Sequence, residues 1–457
     1  MRLFGTDGIR GRVNNYPMTP ENVLKIGMAA AKVLKSEACR GGKEHRRNMI
    51  LIGKDTRLSG YMIESALTSG ICSMGMNVTL VGPIPTPGVA FLTRALRLDA
   101  GVVVSASHNP YEDNGIKFFS SDGFKLPDEL ERMIEELVVD NNLGEKRPSG
   151  SDIGKAFRLD DATGRYIEYI KSTIPKGATL EGLRVVVDCA NGAAYKTTPW
   201  VLRELGADVI AINDRPDGVN INEGCGALHL KGLQKAVKQH GAHVGIAHDG
   251  DADRAMFCDE KGNVVDGDQI MGMFALEFKN EGRLKGNAVV STVMSNLGFE
   301  HHLLGKGIKF IRTKVGDRFV AEKMRADGYN LGGEQSGHII FFDYNTTGDG
   351  PITALQVLYL MKKQGKSLSK LVSGIKLYPQ VLMNVEVGKK KDIKSIPEIE
   401  AAIKKAEERL AEKGRVLVRP SGTEPKIRVM VEGEDRHLIE KLAREISRVV
   451  KEKMAEA

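Results

Sequence analysis

Four short stretches of this 457-residue chain gather side chains able to handle phosphate, a metal ion and a sugar. In Gly101-Val-Val-Val-Ser-Ala-Ser-His-Asn-Pro110 a run of β-branched residues gives way to small polar ones, which predicts a strand and a tight loop at its carboxyl end. Open α/β sheets bind ligands at that edge. Ser107 is flanked by Ser105, His108 and Asn109, so its hydroxyl sits among donors that could steady a leaving or arriving phosphoryl group. An ordinary strand-to-helix turn uses the same residue types.

The second stretch, Asp249-Gly-Asp-Ala-Asp-Arg254, follows a strand-like His243 to Ala247. Three carboxylates at alternate positions can turn toward one point in an extended loop, and that much negative charge calls for a cation between them, with Mg²⁺ expected. A calcium-binding EF-hand is excluded by Arg254 at the sixth position, where the sharp turn needs glycine, and by the preceding strand. In the third, Gly332-Gly-Glu-Gln-Ser-Gly-His338, glycines let a ligand approach the backbone, and Glu334 and Ser336 offer the acceptor and donor that sugar hydroxyls require. His338 suits a proton carrier or a structural histidine equally. The fourth, Arg419-Pro-Ser-Gly-Thr-Glu-Pro425 with Arg428 beyond it, supplies guanidinium groups, the hydroxyls of Ser421 and Thr423 and freely turned amides around Gly422, a set that suits a phosphate dianion. Neither a Walker loop nor a complete Gly-x-Gly-x-x-Gly fingerprint is present, which removes nucleotide-driven kinases and dinucleotide enzymes.

These loops need rigid elements behind them. Strand, helix and strand are predicted at Met49 to Ile52, Gly60 to Met74 and Asn77 to Val81. They recur at Arg184 to Asp188, a helix through Leu205 and Asp208 to Ile212, and again at Ala288 to Ser291, Asn296 to Leu304 and Ile308 to Ile311. Such alternation implies three related α/β domains with largely parallel mixed sheets. After about Leu377 the order changes to an apolar alternation (Val381 to Val387), a charged helix (Glu398 to Glu412), two strands and a terminal helix from Glu434, which suits a smaller C-terminal α+β domain. Turn-rich or charged stretches at Arg147 to Gly150, Asp259 to Asn263 and Lys363 to Lys370 place the domains at 1–155, 156–258, 259–372 and 373–457.

Composition narrows the partners. With 41% hydrophobic and 27% charged residues the chain can bury several cores, as a chain of this length requires. A net charge of +7 favours anionic ligands. Nucleic acid is disfavoured, because aromatics are only 5%, the single Trp heads no stacking platform, and the basic residues are scattered apart from a solvated run at Lys389 to Lys391. A phosphorylated small molecule fits better. Cys39, Cys72, Cys189, Cys225 and Cys258 are odd in number and contain no Cys-x-x-Cys pair, which argues for a reducing cytoplasm over a disulfide framework or zinc site. The N-terminus has no apolar core of a signal peptide, and no stretch approaches the ~18 apolar residues of a membrane span.

With all four motifs in order, the chain resembles the α-D-phosphohexomutase superfamily over its whole length. Ser105 to Pro110 resembles its phosphoserine loop, Asp249 to Arg254 its magnesium loop, Gly333 to His338 its sugar loop and Arg419 to Pro425 its phosphate loop. Phe4-Gly-Thr-Asp-Gly-Ile-Arg-Gly11, Gln335 and Gly422-Thr-Glu424 are similar to the members that act on glucosamine phosphate, whereas phosphomannomutase/phosphoglucomutase relatives more often carry Met and Asn at the Gln335 and Gly422 positions. His248 departs from the apolar residue usual before the first metal Asp. The resemblance implies a heart-shaped, four-domain protein with a central cleft, which converts glucosamine 6-phosphate to glucosamine 1-phosphate through a 1,6-bisphosphate. It implies that Ser107 is a phosphoserine and that Mg²⁺ sits between Ser107, Asp249, Asp251 and Asp253, with Arg254 on nearby anionic oxygens. Lys117 matches the family's candidate base, provided a neighbouring cation such as Arg10 or desolvation lowers its pKa. His108 and His338 are further catalytic candidates. Arg419, Ser421, Gly422, Thr423 and Arg428 would anchor the idle phosphate, and hexose 1,6-bisphosphate would be the activator. A monomer or a homodimer is expected. The nearest rival is a phosphoglucomutase/phosphomannomutase of broad range; a phosphatase would not need the anchor at Arg419, nor a sugar-phosphate sensor the Ser107, Lys117 and three-Asp set.

Overall fold

The computed structural model describes residues 3–5, 7–35, 48–140, 143, 147–387, 396–420 and 426–455; Cys39 and Lys389 to Lys391 lie outside them. They form two units, 1–294 with 308–373 and 295–307 with 374–457.

The first unit carries three sheets. Strands β1 (Phe4–Gly5), β2 (Gly8–Arg12), β3 (Met49–Lys54), β4 (Asn77–Pro83), β5 (Ala100–Val104), β6 (Asp113–Ser120) and β7 (Ala156–Arg158) lie in the order β1-β2-β6-β5-β3-β4-β7. Ile50 to Ile52 and Val102 to Val104 are fully buried, as expected of central strands covered on both faces. Strands β8 (Arg184–Asp188), β9 (Asp208–Ile212), β10 (Val244–His248), β11 (Ala255–Asp259) and β12 (Val264–Val265) form the order β12-β11-β10-β8-β9. The third sheet holds β13 (Ala288–Thr292), β14 (Lys309–Thr313), β15 (Leu331–Gly333) and β16 (Ile339–Phe341) in the order β14-β13-β15-β16.

Each sheet pairs a parallel centre with antiparallel strands, and that mixture positions the chemistry. The Ser107 loop joins β5 to its antiparallel neighbour β6, the aspartate loop joins β10 to antiparallel β11, and the glycine-rich loop joins β15 to antiparallel β16. The strand-to-helix turn that Ser105 to Pro110 also suggested is therefore not what forms. A return to an adjacent antiparallel strand takes only a few residues, whereas a parallel crossover needs a dozen or more, so both ends of each loop are pinned by ladder hydrogen bonds. Two sheet memberships run past the boundaries expected from sequence. β7 extends the first sheet beyond residue 155 by pairing with β4, and β12 extends the second beyond 258, because Asp259 to Asn263 is a hairpin turn and not a linker.

In the second unit β17 (Gln380–Glu386), β18 (Gly414–Pro420) and β19 (Lys426–Gly433) form an antiparallel sheet in the order β17-β19-β18. Ile427, Val429 and Val431 alternate into a core with Ile439, Leu442 and Ile446 of the terminal helix Arg436–Ala455, the α+β arrangement expected. The helix Leu297–Gly305 forms where the third α/β unit was predicted, yet it packs with this unit: buried Glu432 accepts from the Leu297 N–H (2.9 Å) and from Arg415 Nε (2.6 Å). A buried carboxylate needs such donors, and the start of this helix provides one.

Candidate active site

Ser107 is 1% exposed, and its Oγ donates to Asp249 Oδ2 at 2.7 Å. His108 Nδ1 stands 3.2 Å from the same hydroxyl. Burial, with Arg254 and Arg10 nearby, pushes His108 down to about 4, so the ring beside Ser107 is neutral at pH 7. Gly250 is required where the serine and aspartate loops meet, since a Cβ there would lie 2.5 Å from the Ser107 carbonyl oxygen.

Asp249, Asp251 and Asp253 each offer an oxygen within 4.8 Å of the others, and all three are buried. Burial, then Asp253 and Asp251, pushes Asp249 up to about 8. Asp251 Oδ1 and Asp253 Oδ1 are buried without a hydrogen-bond partner. Convergent hard oxygens, two of them unsatisfied, fit an ion such as Mg²⁺. The Thr86 hydroxyl and N–H, at the start of the helix Thr86–Ala95, tie Asp251 in place through Oδ2 (2.6 Å) and its carbonyl (2.9 Å). Arg254 Nε lies 3.7 Å from Asp253 and 3.9 Å from Asp249; burial would lower its pKa, but these carboxylates raise it, so it stays a cation. His248 adds no charge: burial pushes it down to about 4, and it is engaged by Thr198 (2.9 Å) and the Arg254 carbonyl (2.9 Å).

Lys117, on β6 and 2% exposed, differs from expectation. Its Nζ lies 2.9 Å from Asp251, 3.1 Å from Asp7 and 3.6 Å from Asp253. Burial favours the neutral amine, but the three carboxylates outweigh it and hold the ammonium charged. Arg10, expected to lower Lys117, instead pairs with Asp7 and donates to the Ala106 carbonyl (3.4 Å). Its repulsion is the smaller influence on Lys117.

His338 lies 3.5 Å from Asp253 and 3.5 Å from Asp317. Against burial these carboxylates push it up to about 9, whereas the Gly348 N–H donates to Nε2 at 3.0 Å and needs a lone pair there. The direct hydrogen bond decides in favour of a neutral ring with its proton on Nδ1, facing Asp253. Glu334 accepts from the Gly316 N–H (3.2 Å) and the Ser336 hydroxyl (3.4 Å). Gln335 is directed elsewhere: its amide donates to Asp266 (3.1 Å), the N-cap of the helix Gly267–Asn280.

Ser107, Lys117, Arg10, His108, the three aspartates, Arg254 and His338 thus form one connected cluster, drawn from three sheets. Sequence reading missed Thr86, Asp7, Lys125 and Asp317. Lys125 bridges Asp7 (2.6 Å) and Asp317 (2.5 Å), which closes an ionic chain from Arg10 to Asp317, beside His338. Asp7 lies inside the Phe4 to Gly11 motif, a usable signal, while single residues such as Lys125 and Asp317 carry none. In the second unit Arg419 on β18 lies directly opposite Arg428 on β19. Burial, then Arg428, lowers Arg419, so two cations face each other across a ladder, a placement that an anion would stabilise. Ser421, Gly422 and Thr423 lie outside the described residues.

Known proteins resemble this chain along its whole length. Family descriptions for phosphoglucomutase/phosphomannomutase match alpha/beta/alpha domain I at residues 1–144, domain II at 164–262, domain III at 266–378 and the C-terminal domain at 382–449. A phosphoglucosamine mutase from Syntrophotalea carbinolica is 57% identical over 98% of this chain and 97% of its own length. Another, from Thermodesulfovibrio yellowstonii, is 57% identical over 98% and 99%. The solved phosphoglucomutase/phosphomannomutase family protein of Burkholderia thailandensis matches with a TM-score of 0.82 at 24% identity, over 99% of this chain and 97% of that one, which speaks to the fold. With four family domains matched in order and relatives aligned end to end, the chain belongs to the phosphoglucomutase/phosphomannomutase family, in its phosphoglucosamine mutase branch.

Proposed function

We propose that this chain interconverts glucosamine 6-phosphate and glucosamine 1-phosphate, with Ser107 as the phosphoryl carrier. The observation that carries this reading is the 2.7 Å hydrogen bond from Ser107 Oγ into Asp249, which seats a hydroxyl against three converging carboxylates. Phosphorylated Ser107 gives its phosphoryl group to the free sugar hydroxyl: the P–Oγ bond breaks, a P–O bond to the sugar forms, and the hydroxyl's proton leaves for a nearby base. The resulting 1,6-bisphosphate turns and returns its other phosphoryl group to Ser107. Hexose 1,6-bisphosphate would load Ser107 at the outset. A magnesium ion held by Asp249, Asp251 and Asp253 would withdraw charge from the phosphoryl oxygens.

Positioning and charge carry most of phosphoryl transfer. Arg254 would bind anionic oxygens beside the aspartates, and Glu334 and Ser336 would hold sugar hydroxyls. Arg419 and Arg428 would grip the phosphate that is not reacting. Lys117 is held as an ammonium by Asp251, Asp7 and Asp253, so in this state it would lend positive charge beside the phosphoryl oxygens and not take the proton of the attacking hydroxyl. The four described cysteines are free thiols, which supports a reducing cytoplasm as the site of the reaction. No described helix is long and apolar enough to cross a membrane.

Ser107→Ala tests the reading. Mutase activity should fall by about three orders of magnitude or more, with the melting temperature close to the parent's, and intact mass should show a phosphoryl adduct on the parent alone. Substantial turnover by the alanine variant would end the mechanism.

A further inference from the structure

Ser107 adopts a backbone that serine rarely takes. Its φ is 53°, in the left-handed region, which is strained for an L-residue and persists only where surrounding contacts over-determine it. Those contacts come from two sheets.

From the end of β3, fully buried Arg57 reaches across the loop. Its Nη2 donates to the carbonyls of Ser107 (3.0 Å) and Asn109 (2.8 Å), and its Nη1 to those of Asp113 (3.1 Å) and Pro110. Arg57 Nε donates to Asp55 Oδ2 (2.8 Å), which also accepts from Ser105 Oγ (2.6 Å). Ser105 Oγ in turn accepts from the Ser107 N–H (2.9 Å). Both backbone polar groups of Ser107 are thus tied to the Asp55 and Arg57 pair. From the second sheet, in the segment after β9, Asn222 Nδ2 donates to the same two carbonyls, Ser107 (3.0 Å) and Asn109 (3.1 Å). The Asn222 N–H is itself fixed on the Ala190 carbonyl (2.9 Å). These donors hold backbone, not the Ser107 hydroxyl.

We propose that Arg57 and Asn222 are positioning residues for the phosphoryl transfer, a two-sided clamp on the Ser107 and Asn109 carbonyls that aims Ser107 Oγ at Asp249. The proposal rests on the reading of Ser107 as the phosphoryl carrier. A lysine at position 57 has three donors on one nitrogen and cannot span four carbonyls and a carboxylate as the planar guanidinium does. An aspartate at 222 turns a shared donor into a carboxylate facing two carbonyl oxygens. A shift near 1 Å in a reacting atom lowers rate by about a hundredfold.

The parent is first loaded with glucose 1,6-bisphosphate and Mg²⁺ and weighed by intact mass spectrometry. Loaded parent, Arg57→Lys, Asn222→Ala and Asn222→Asp are then mixed with glucosamine 6-phosphate in a rapid-quench instrument, and the rate of phosphoryl loss from Ser107 is followed. The clamp predicts a fall of roughly 10- to 100-fold per folded molecule for Arg57→Lys and Asn222→Asp, a smaller fall for Asn222→Ala, and KM for the sugar within about twofold of the parent. Transfer rates equal to the parent's in the folded variants, or losses that vanish when activity is scaled to the folded fraction, overturn it. If Arg57→Lys does not fold, the two Asn222 variants decide. A parent that accepts no phosphoryl group would instead overturn the carrier reading, and the clamp with it, before any variant is examined.

Discussion

At the scale of single residues, charge is balanced by neighbours more than by solvent. Lys117 shows the consequence: burial by itself would have made a weak cation of it, and three carboxylates make it a firm one. On β18 and β19, Arg419 and Arg428 face each other in register, a placement that a phosphate would stabilise. Arginine can grip a phosphate with two parallel hydrogen bonds, whereas lysine offers a point charge, so Arg419→Lys is not conservative. Losing one charge-assisted bond should cost about 1.5–3 kcal/mol, or roughly 10- to 150-fold in kcat/KM. A mutase presents each end of its bisphosphate in turn, so the loss should be similar with the 6-phosphate and the 1-phosphate as substrate. Steady-state kinetics in both directions check this, and a loss confined to one direction would show that Arg419 serves a fixed phosphate.

At the scale of elements, the helix Gly350–Gln364 illustrates how the three sheets of the first unit are joined. Its N-cap, Asp349, accepts from the Ile352 N–H (2.8 Å), from Asn345 Nδ2 (2.8 Å) and from the hydroxyl of Tyr166 (2.7 Å), which lies on the helix Ala162–Lys171. Burial outweighs these bonds and pushes Asp349 up to about 6. A carboxyl whose pKa is raised on folding stabilises most below its unfolded value, near 4, and loses that contribution as pH rises through 6. Between pH 5 and pH 7 the parent should therefore lose about 1 kcal/mol relative to Asp349→Asn, which cannot ionise. Urea unfolding of both proteins at the two pH values measures the difference. A constant gap would show that Asp349 stays ionised throughout.

At the scale of the whole molecule, the proposed reaction presents the sugar in two orientations to loops from separate sheets, so on that reading substrate preference belongs to the assembly and not to one side chain. Gln335, the residue that marks the glucosamine branch in the sequence, holds Asp266 and so supports the loop that carries Glu334 and Ser336. Glucosamine 6-phosphate should exceed glucose 6-phosphate and mannose 6-phosphate by more than about tenfold in kcat/KM, or ~1.4 kcal/mol. Equal or reversed preference in that three-substrate panel would return the chain to a phosphoglucomutase/phosphomannomutase of broad range.

The chemistry of the chain was legible in one dimension because each loop is a short run of unlike residues: Ser107 among donors, aspartates at alternate positions, glycines around Glu334 and Ser336. Strands were legible too, since β8 and β9 end at the residues that β-branched runs and turn signals mark. What the sequence could not decide were pairings between distant segments. Whether Lys117 is a cation depends on Asp251, 134 residues away, and on Asp7. The backbone of Ser107 depends on Arg57 and Asn222, neither of which has a local pattern to announce it. The helix Leu297–Gly305 has the composition of a third-domain helix, yet its partner is Glu432, 135 residues on from Leu297. Local propensity follows from neighbouring residues in the chain, whereas burial, charge state and strain follow from neighbours in space, and those exist only once the sheets have formed.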